Sequence, residues 1–201
     1  MSDKQKKIIL INTEYKHKIG GVEKVVETLD TFLSDSKDFD VKIINTHNYG
    51  NISSTGVKRL IDITLYELKT MISPIDSEKK IYSVWFGRST YLKSIVTPFR
   101  QFVNFLILKN LITNIKPDII NYHFVDDSVY LMSKIASDNK NFKLVTNVHG
   151  NDIEKFALDR QHRKCMKKVL INSDVIICNS DYIKKIIHKT FPSIELNKIK
   201  L

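Results

Sequence analysis

Short apolar runs rich in isoleucine and valine recur along the chain at 7–12, 40–46, 80–86, 118–124, 143–149 and 174–179. Each is as long as a strand, and none alternates apolar with polar residues. Strands buried on both faces of a parallel sheet have this pattern. Between them the apolar period lengthens. Val22, Val25, Val26, Leu29, Phe32 and Leu33 fall on one helical face, as do Val57, Leu60, Ile61, Leu65, Leu68, Met71 and Ile72. A third stripe runs from Leu92 through Phe99, Phe102 and Leu106 to about Ile112, with shorter helices expected over 128–136, 153–171 and 180–189. Strand alternating with helix implies right-handed βαβ units. The expected fold is an α/β, Rossmann-like, doubly wound domain over residues 1–201, with a mainly parallel sheet and helices on both faces.

Ligands of such sheets bind beyond the carboxyl ends of the strands, so the residues just after each run carry the candidate chemistry. The first run is followed by Thr13, Glu14 and then Gly20-Gly21, and the fourth leads into His123, Asp126 and Asp127. The fifth ends in His149-Gly150-Asn151-Asp152 and the sixth in Asn179-Ser180-Asp181. The double glycine precedes an amphipathic helix, where bare N–H groups suit a phosphate; a plain turn is the alternative reading. It is neither a dinucleotide fingerprint nor a Walker loop, because the three-glycine spacing and the Lys-Ser/Thr pair are missing. His149 at a strand end has the chemistry to donate to a sugar hydroxyl or phosphate. Asp152, and Ser180 or Asp181, read as helix caps, and Asp126 or Asp127 suits the same role. His123, Asp126, Asp127 and His149 match no metal-ligand spacing. No Gly-x-Ser-x-Gly elbow supports a nucleophilic serine.

Composition narrows the class. The 201 residues are 42% hydrophobic and 27% charged, enough for one domain with a substantial core. No apolar run exceeds four residues, which argues against a membrane-spanning helix and a signal peptide and makes a cytoplasmic location the expectation. Cys165 and Cys178 have no metal spacing and suggest no disulfide framework. The formal net charge of +10 favours anionic partners. The densest basic cluster is Lys155, Arg160, Arg163, Lys164, Lys167 and Lys168. Nucleic acid is not an expected partner, because no recognition motif or aromatic-basic platform accompanies the charge.

Four segments taken in order resemble the N-terminal half of the retaining family 4 glycosyltransferases. They are the Gly20-Gly21 loop, Lys116-Pro117-Asp118-Ile119-Ile120-Asn121-Tyr122-His123, Thr146-Asn147-Val148-His149-Gly150-Asn151-Asp152, and Ser173-Asp174-Val175-Ile176-Ile177-Cys178-Asn179-Ser180. The resemblance implies one half of a GT-B fold, in which two Rossmann-like domains face each other across a cleft. It implies that this is the acceptor-side domain, that Gly20 and Gly21 approach the diphosphate of a nucleotide sugar, and that His149 is the catalytic histidine beside the transferred sugar. Glu14, His123 and Asp126 are then the expected acceptor-binding residues. No cofactor and no metal are expected; the nucleotide sugar is a substrate, and a saccharide or lipid-linked compound is the acceptor.

The second domain of that family, which carries its paired glutamates and holds the donor, is not present up to Leu201. The chain alone is therefore expected to be inactive and to need a C-terminal domain or a partner subunit. Surface polysaccharide or glycolipid synthesis at the inner face of a membrane is implied by analogy. The competing reading is a non-catalytic module that binds a phosphorylated ligand or a separate subunit. Acceptor choice is expected in the loops after Tyr49 and between Phe86 and Tyr91.

Overall fold

The computed structural model describes residues 5–13, 21–48, 80–86, 96–123, 128–138, 141–154 and 156–201. The strands are β1 (Lys6–Thr13), β2 (Phe39–Asn48), β3 (Ile81–Phe86), β4 (Ile119–His123), β5 (Lys143–Val148), β6 (Val175–Cys178) and β7 (Ile199–Lys200). The helices are α1 (Gly21–Asp35), α2 (Val96–Ile115), α3 (Val129–Ser137), α4 (Asn151–Glu154), α5 (Arg160–Asn172) and α6 (Asp181–Thr190). The seven strands form one sheet in the order β3-β2-β1-β4-β5-β6-β7, and every pairing is parallel. This is the Rossmann order with one further strand, and its order reverses between β1 and β4. The expected helix over 57–72 lies outside the described residues.

Side chains alternate between the two faces of each strand, and the core divides accordingly. On one face Ile8 and Leu10 of β1 and Val41 and Ile43 of β2 pack with Val26 of α1. On the other, Ile9, Ile11, Ile44, Ile120, Leu144 and Ile176 pack against residues of α2, α3, α5 and α6. Handedness explains this division: β1 to β3 progress in one direction across the sheet and β4 to β7 in the other, so right-handed crossovers place their helices on opposite faces.

Two motif aspartates act at the opposite edge from the site. The Asp118 carboxylate accepts a hydrogen bond from the Lys7 backbone N–H at 2.8 Å, just ahead of β4. Asp174 does the same for the Leu144 N–H at 2.8 Å, just ahead of β6. Each pins the start of the neighbouring strand. Cys178 is buried in the core, and Cys165 is also a free thiol.

The helix expected over 153–171 is broken. After α4 the chain makes a short 3₁₀ turn at Phe156–Leu158, and α5 begins afresh. The break arises at Asp159, which sits in extended conformation and accepts from the His162 N–H at 2.8 Å as an N-cap. Ser180 caps α6 in the same way through the Ile183 N–H. At α3 the cap position belongs to Ser128, whose hydroxyl bonds to that of Tyr122 at 2.6 Å instead of capping the helix. Among the described residues no helix is long and apolar enough to cross a membrane.

Candidate functional site

The carboxyl edge of the sheet carries a row of amide and imidazole side chains. Asn12 is the register partner of Asn45, which in turn pairs with Ser83. On the other side, Ile11 pairs with Tyr122, so the next residues, Asn12 and His123, stand level across β1 and β4. His123 pairs with Asn147 on β5. Strand parity puts all of them on the α1 face, and His149 lies two residues beyond Asn147 on the same face. The row crosses the point where strand order reverses, the place where an open α/β sheet binds its ligands.

Packing leaves this row short of hydrogen bonds. Both amide atoms of Asn12, Oδ1 of Asn45, Nδ1 of His123 and Nε2 of His149 are buried without a partner among the described residues. Asn12 is 1% exposed and His123 is 0% exposed. Native interiors satisfy nearly all such atoms, so this cluster of exceptions makes the row the candidate site.

His149 follows β5 directly. Gly150 adopts a φ of 101°, a left-handed conformation that glycine takes without strain. A Cβ there would also stand 3.4 Å from Cδ1 of Ile183. The resulting turn lets the Gly150 carbonyl accept from the N–H groups of Ile153 and Glu154, both at 2.9 Å. Asp152 does not stand at the cap position ahead of α4. It lies inside α4, fully buried, and both its carboxylate oxygens accept from the His149 backbone N–H, at 3.1 and 2.9 Å. The histidine backbone is thus clamped between strand and helix.

The two histidine rings stack, with centroids 5.8 Å apart and planes inclined by 22°. Burial, and then the positive charge His149 carries when protonated, pull the pKa of His123 down to about 3, so it is neutral at neutral pH. His149 is also pulled below the ordinary histidine value by burial, while the carboxylates of Asp152 and Glu23 oppose that shift. Glu23 stands in the first turn of α1. That helix follows the carboxyl end of β1, which puts its start at the same edge of the sheet.

Of the residues singled out in the sequence, Gly21, His123 and His149 therefore share this edge. Gly21 is the first residue of α1, and no atom of the described residues lies within 4 Å of where its Cβ would be. Among the described residues, packing does not demand a glycine there. Glu14, Gly20 and Asp126 lie outside the described residues, as do the loops expected to select the acceptor. Sequence reasoning passed over Asn12, Asn45, Asn121, Asn147 and Glu23. An asparagine near the end of β1, β2, β4 and β5 was the available signal, and only the sheet register shows that Asn12, Asn45 and Asn147 lie in one row. Among the described residues no three His, Cys, Asp or Glu side chains group as metal ligands.

The family model Glycosyltransferase Family 4 matches residues 19–201. The chain belongs to glycosyltransferase family 4. No curated protein sequence matches it. Similar solved structures include sucrose-phosphate synthase from Thermosynechococcus elongatus, at 12% identity and a TM-score of 0.61, covering 98% of this chain and 47% of that one. The lipopolysaccharide outer core galactosyltransferase WaaB in its apo form matches at 16% identity and a TM-score of 0.58, covering 97% and 44%. UDP-GlcNAc 2-epimerase from Methanocaldococcus jannaschii gives 15% identity and a TM-score of 0.58, covering 97% and 45%. The family 4 chain thus spans less than half the length of the structures it resembles, and the likeness is one of fold. Its sheet is the Rossmann-like half of a GT-B architecture.

Proposed function

We propose that this family 4 domain is the acceptor side of a glycosyltransferase that moves a sugar from a nucleotide sugar to a saccharide or lipid-linked acceptor with retention of configuration. The observation that carries the reading is the unpaired, buried Nε2 of His149 at the carboxyl edge of the sheet, beside the reversal of strand order. A sugar hydroxyl or a phosphate oxygen there would satisfy it. Transfer builds positive charge on the sugar ring and negative charge on the departing diphosphate. The start of α1 at Gly21 offers N–H groups and a helix dipole to that diphosphate; Gly20, expected beside it from the sequence, lies outside the described residues. His149 would orient the sugar, and Glu14 and Asp126 would contact the acceptor.

A single sheet edge does not exclude water from both substrates, so a donor-binding domain or partner subunit must close over it. No resident metal or other cofactor is part of this scheme. The product class we propose is a surface polysaccharide or glycolipid made on the cytoplasmic side of a membrane. The exposed basic face of α5 supports that setting. Arg160, Arg163, Lys164, Lys167 and Lys168 are all exposed there, and none forms an ion pair among the described residues. Leu158, 85% exposed, stands just ahead of them.

The test is transfer of labelled sugar from a panel of nucleotide sugars to saccharide and lipid-linked acceptors. The chain should be assayed alone and together with a donor-binding domain. The chain alone should give no useful rate. In the complete enzyme His149→Ala should lower turnover by about a hundredfold or more, the scale expected of a group acting at the reacting centre. Near-normal turnover in that variant removes His149 from the mechanism, and binding of nucleotide sugar without any transfer would favour a non-catalytic module.

A further inference from the structure

We propose that His123 is a positioning residue: its buried ring, tied to Asn147, sets the plane of the His149 ring and keeps Nε2 of His149 presented to the ligand. The functional consequence rests on the role proposed for His149; the geometry does not. His123 is the last residue of β4, is fully buried and reaches no solvent. A residue so placed serves the site through its neighbour, which distinguishes this role from the direct acceptor contact expected from the sequence.

The hydrogen bonds around His123 assign its tautomer. The Asn147 side-chain Nδ2 donates to Oδ1 of Asn121. The same nitrogen faces the Tyr122 carbonyl and Nε2 of His123, each at 3.5 Å. An amide nitrogen only donates, so a bond along this contact takes Nε2 of His123 as the unprotonated, accepting nitrogen. The proton of the neutral ring is then on Nδ1, which is buried with no partner among the described residues. Asn147, itself bonded to Asn121, is thus the neighbour that favours this tautomer of His123. That ring is the surface on which His149 stacks. Among the described residues, the charged and titratable groups around His149 are Glu23 from α1, His123 from β4 and Asp152 from α4. Asp152 holds the backbone of His149, and the His123 ring stacks on its ring.

Long-range ¹H–¹⁵N spectra of the ¹⁵N-histidine-labelled chain test this directly. His123 should show a protonated Nδ1 and an unprotonated Nε2, unchanged from about pH 8 to about pH 5. In His123→Ala the midpoint of His149 should rise towards the ordinary value, because its ring loses its cover. A His123 that titrates in this range, or carries its proton on Nε2, overturns the proposal. So does a folded His123→Ala variant whose His149 midpoint and ring shifts are unchanged. Should His123→Ala fail to fold, Asn147→Leu replaces it: His123 should then lose its single tautomer, and retention of that tautomer overturns the proposal. Failure of glycosyl transfer would sink the function proposed above and leave these spectra as they are.

Discussion

His123 and His149 are both driven toward the neutral form by burial, and this links the site to stability. The unfolded chain protonates a histidine near pH 6.5, whereas folded His123 does so only at about 3. Below pH 6.5 the unfolded state therefore binds more protons than the folded state, and stability falls as pH falls. The limiting slope is about 1.4 kcal/mol per pH unit for each such histidine. Urea unfolding between about pH 6.5 and 5 should show this decline in the native chain, ahead of most carboxylate titration. His123→Leu should make it shallower by the share of one proton. An unchanged slope in that variant would mean that His123 is not held neutral. None of this is legible in the sequence, where His123 is one more polar residue at a strand end. Its burial depends on β1 and β5 lying on either side of it.

At the scale of elements, the aspartates of the two related segments Lys116-Pro117-Asp118 and Ser173-Asp174 serve the sheet rather than the chemistry. Each accepts a backbone hydrogen bond from the start of a neighbouring strand. Removing the carboxylate leaves that N–H unpaired, at a cost of about 1–3 kcal/mol where it is shielded from water and less where it is not. The Leu144 N–H is part-buried and the Lys7 N–H is exposed. Asp174→Ala should therefore lower the urea midpoint more than Asp118→Ala does. Equal effects, or the reverse order, would show that these bonds do not pin the strands. The strands themselves were readable, because continuous apolar runs of strand length have few other uses. The helix over 153–171 was misread as unbroken, because its apolar positions fit one period across the break. The reset at Asp159 depends on a side-chain-to-backbone bond that periodicity does not record.

Over the whole molecule, the strand order places the start of α5, and with it the first part of its basic face, near the same sheet edge as His149. The helix follows β5 and returns to the start of β6, so its N-terminal end sits at the carboxyl edge. If this face meets an anionic surface, the chain should sediment with vesicles containing acidic phospholipid and not with purely zwitterionic ones. Each basic residue near such a surface contributes about 1 kcal/mol. Replacing Arg160, Lys164 and Lys167 by glutamate should then weaken binding by about a hundredfold or more. Raising salt to about 1 M, where the Debye length is about 3 Å, should release the native chain. Vesicle binding that ignores charge reversal would assign the interaction to another surface.

The sequence by itself determined the α/β alternation, the buried parallel strands and the family, because these are written in local period and in ordered motifs. It also placed His149, since a histidine at the end of a strand and before a glycine turn is a local feature. Only the tertiary structure decided that Asn12, Asn45, His123 and Asn147 form one row, that His123 stacks on His149, and that Asp152 holds the His149 backbone. The physical reason is register. Which residues stand side by side across a parallel sheet depends on crossovers that span tens of residues, and hydrogen bonds made across that register carry no period along the chain.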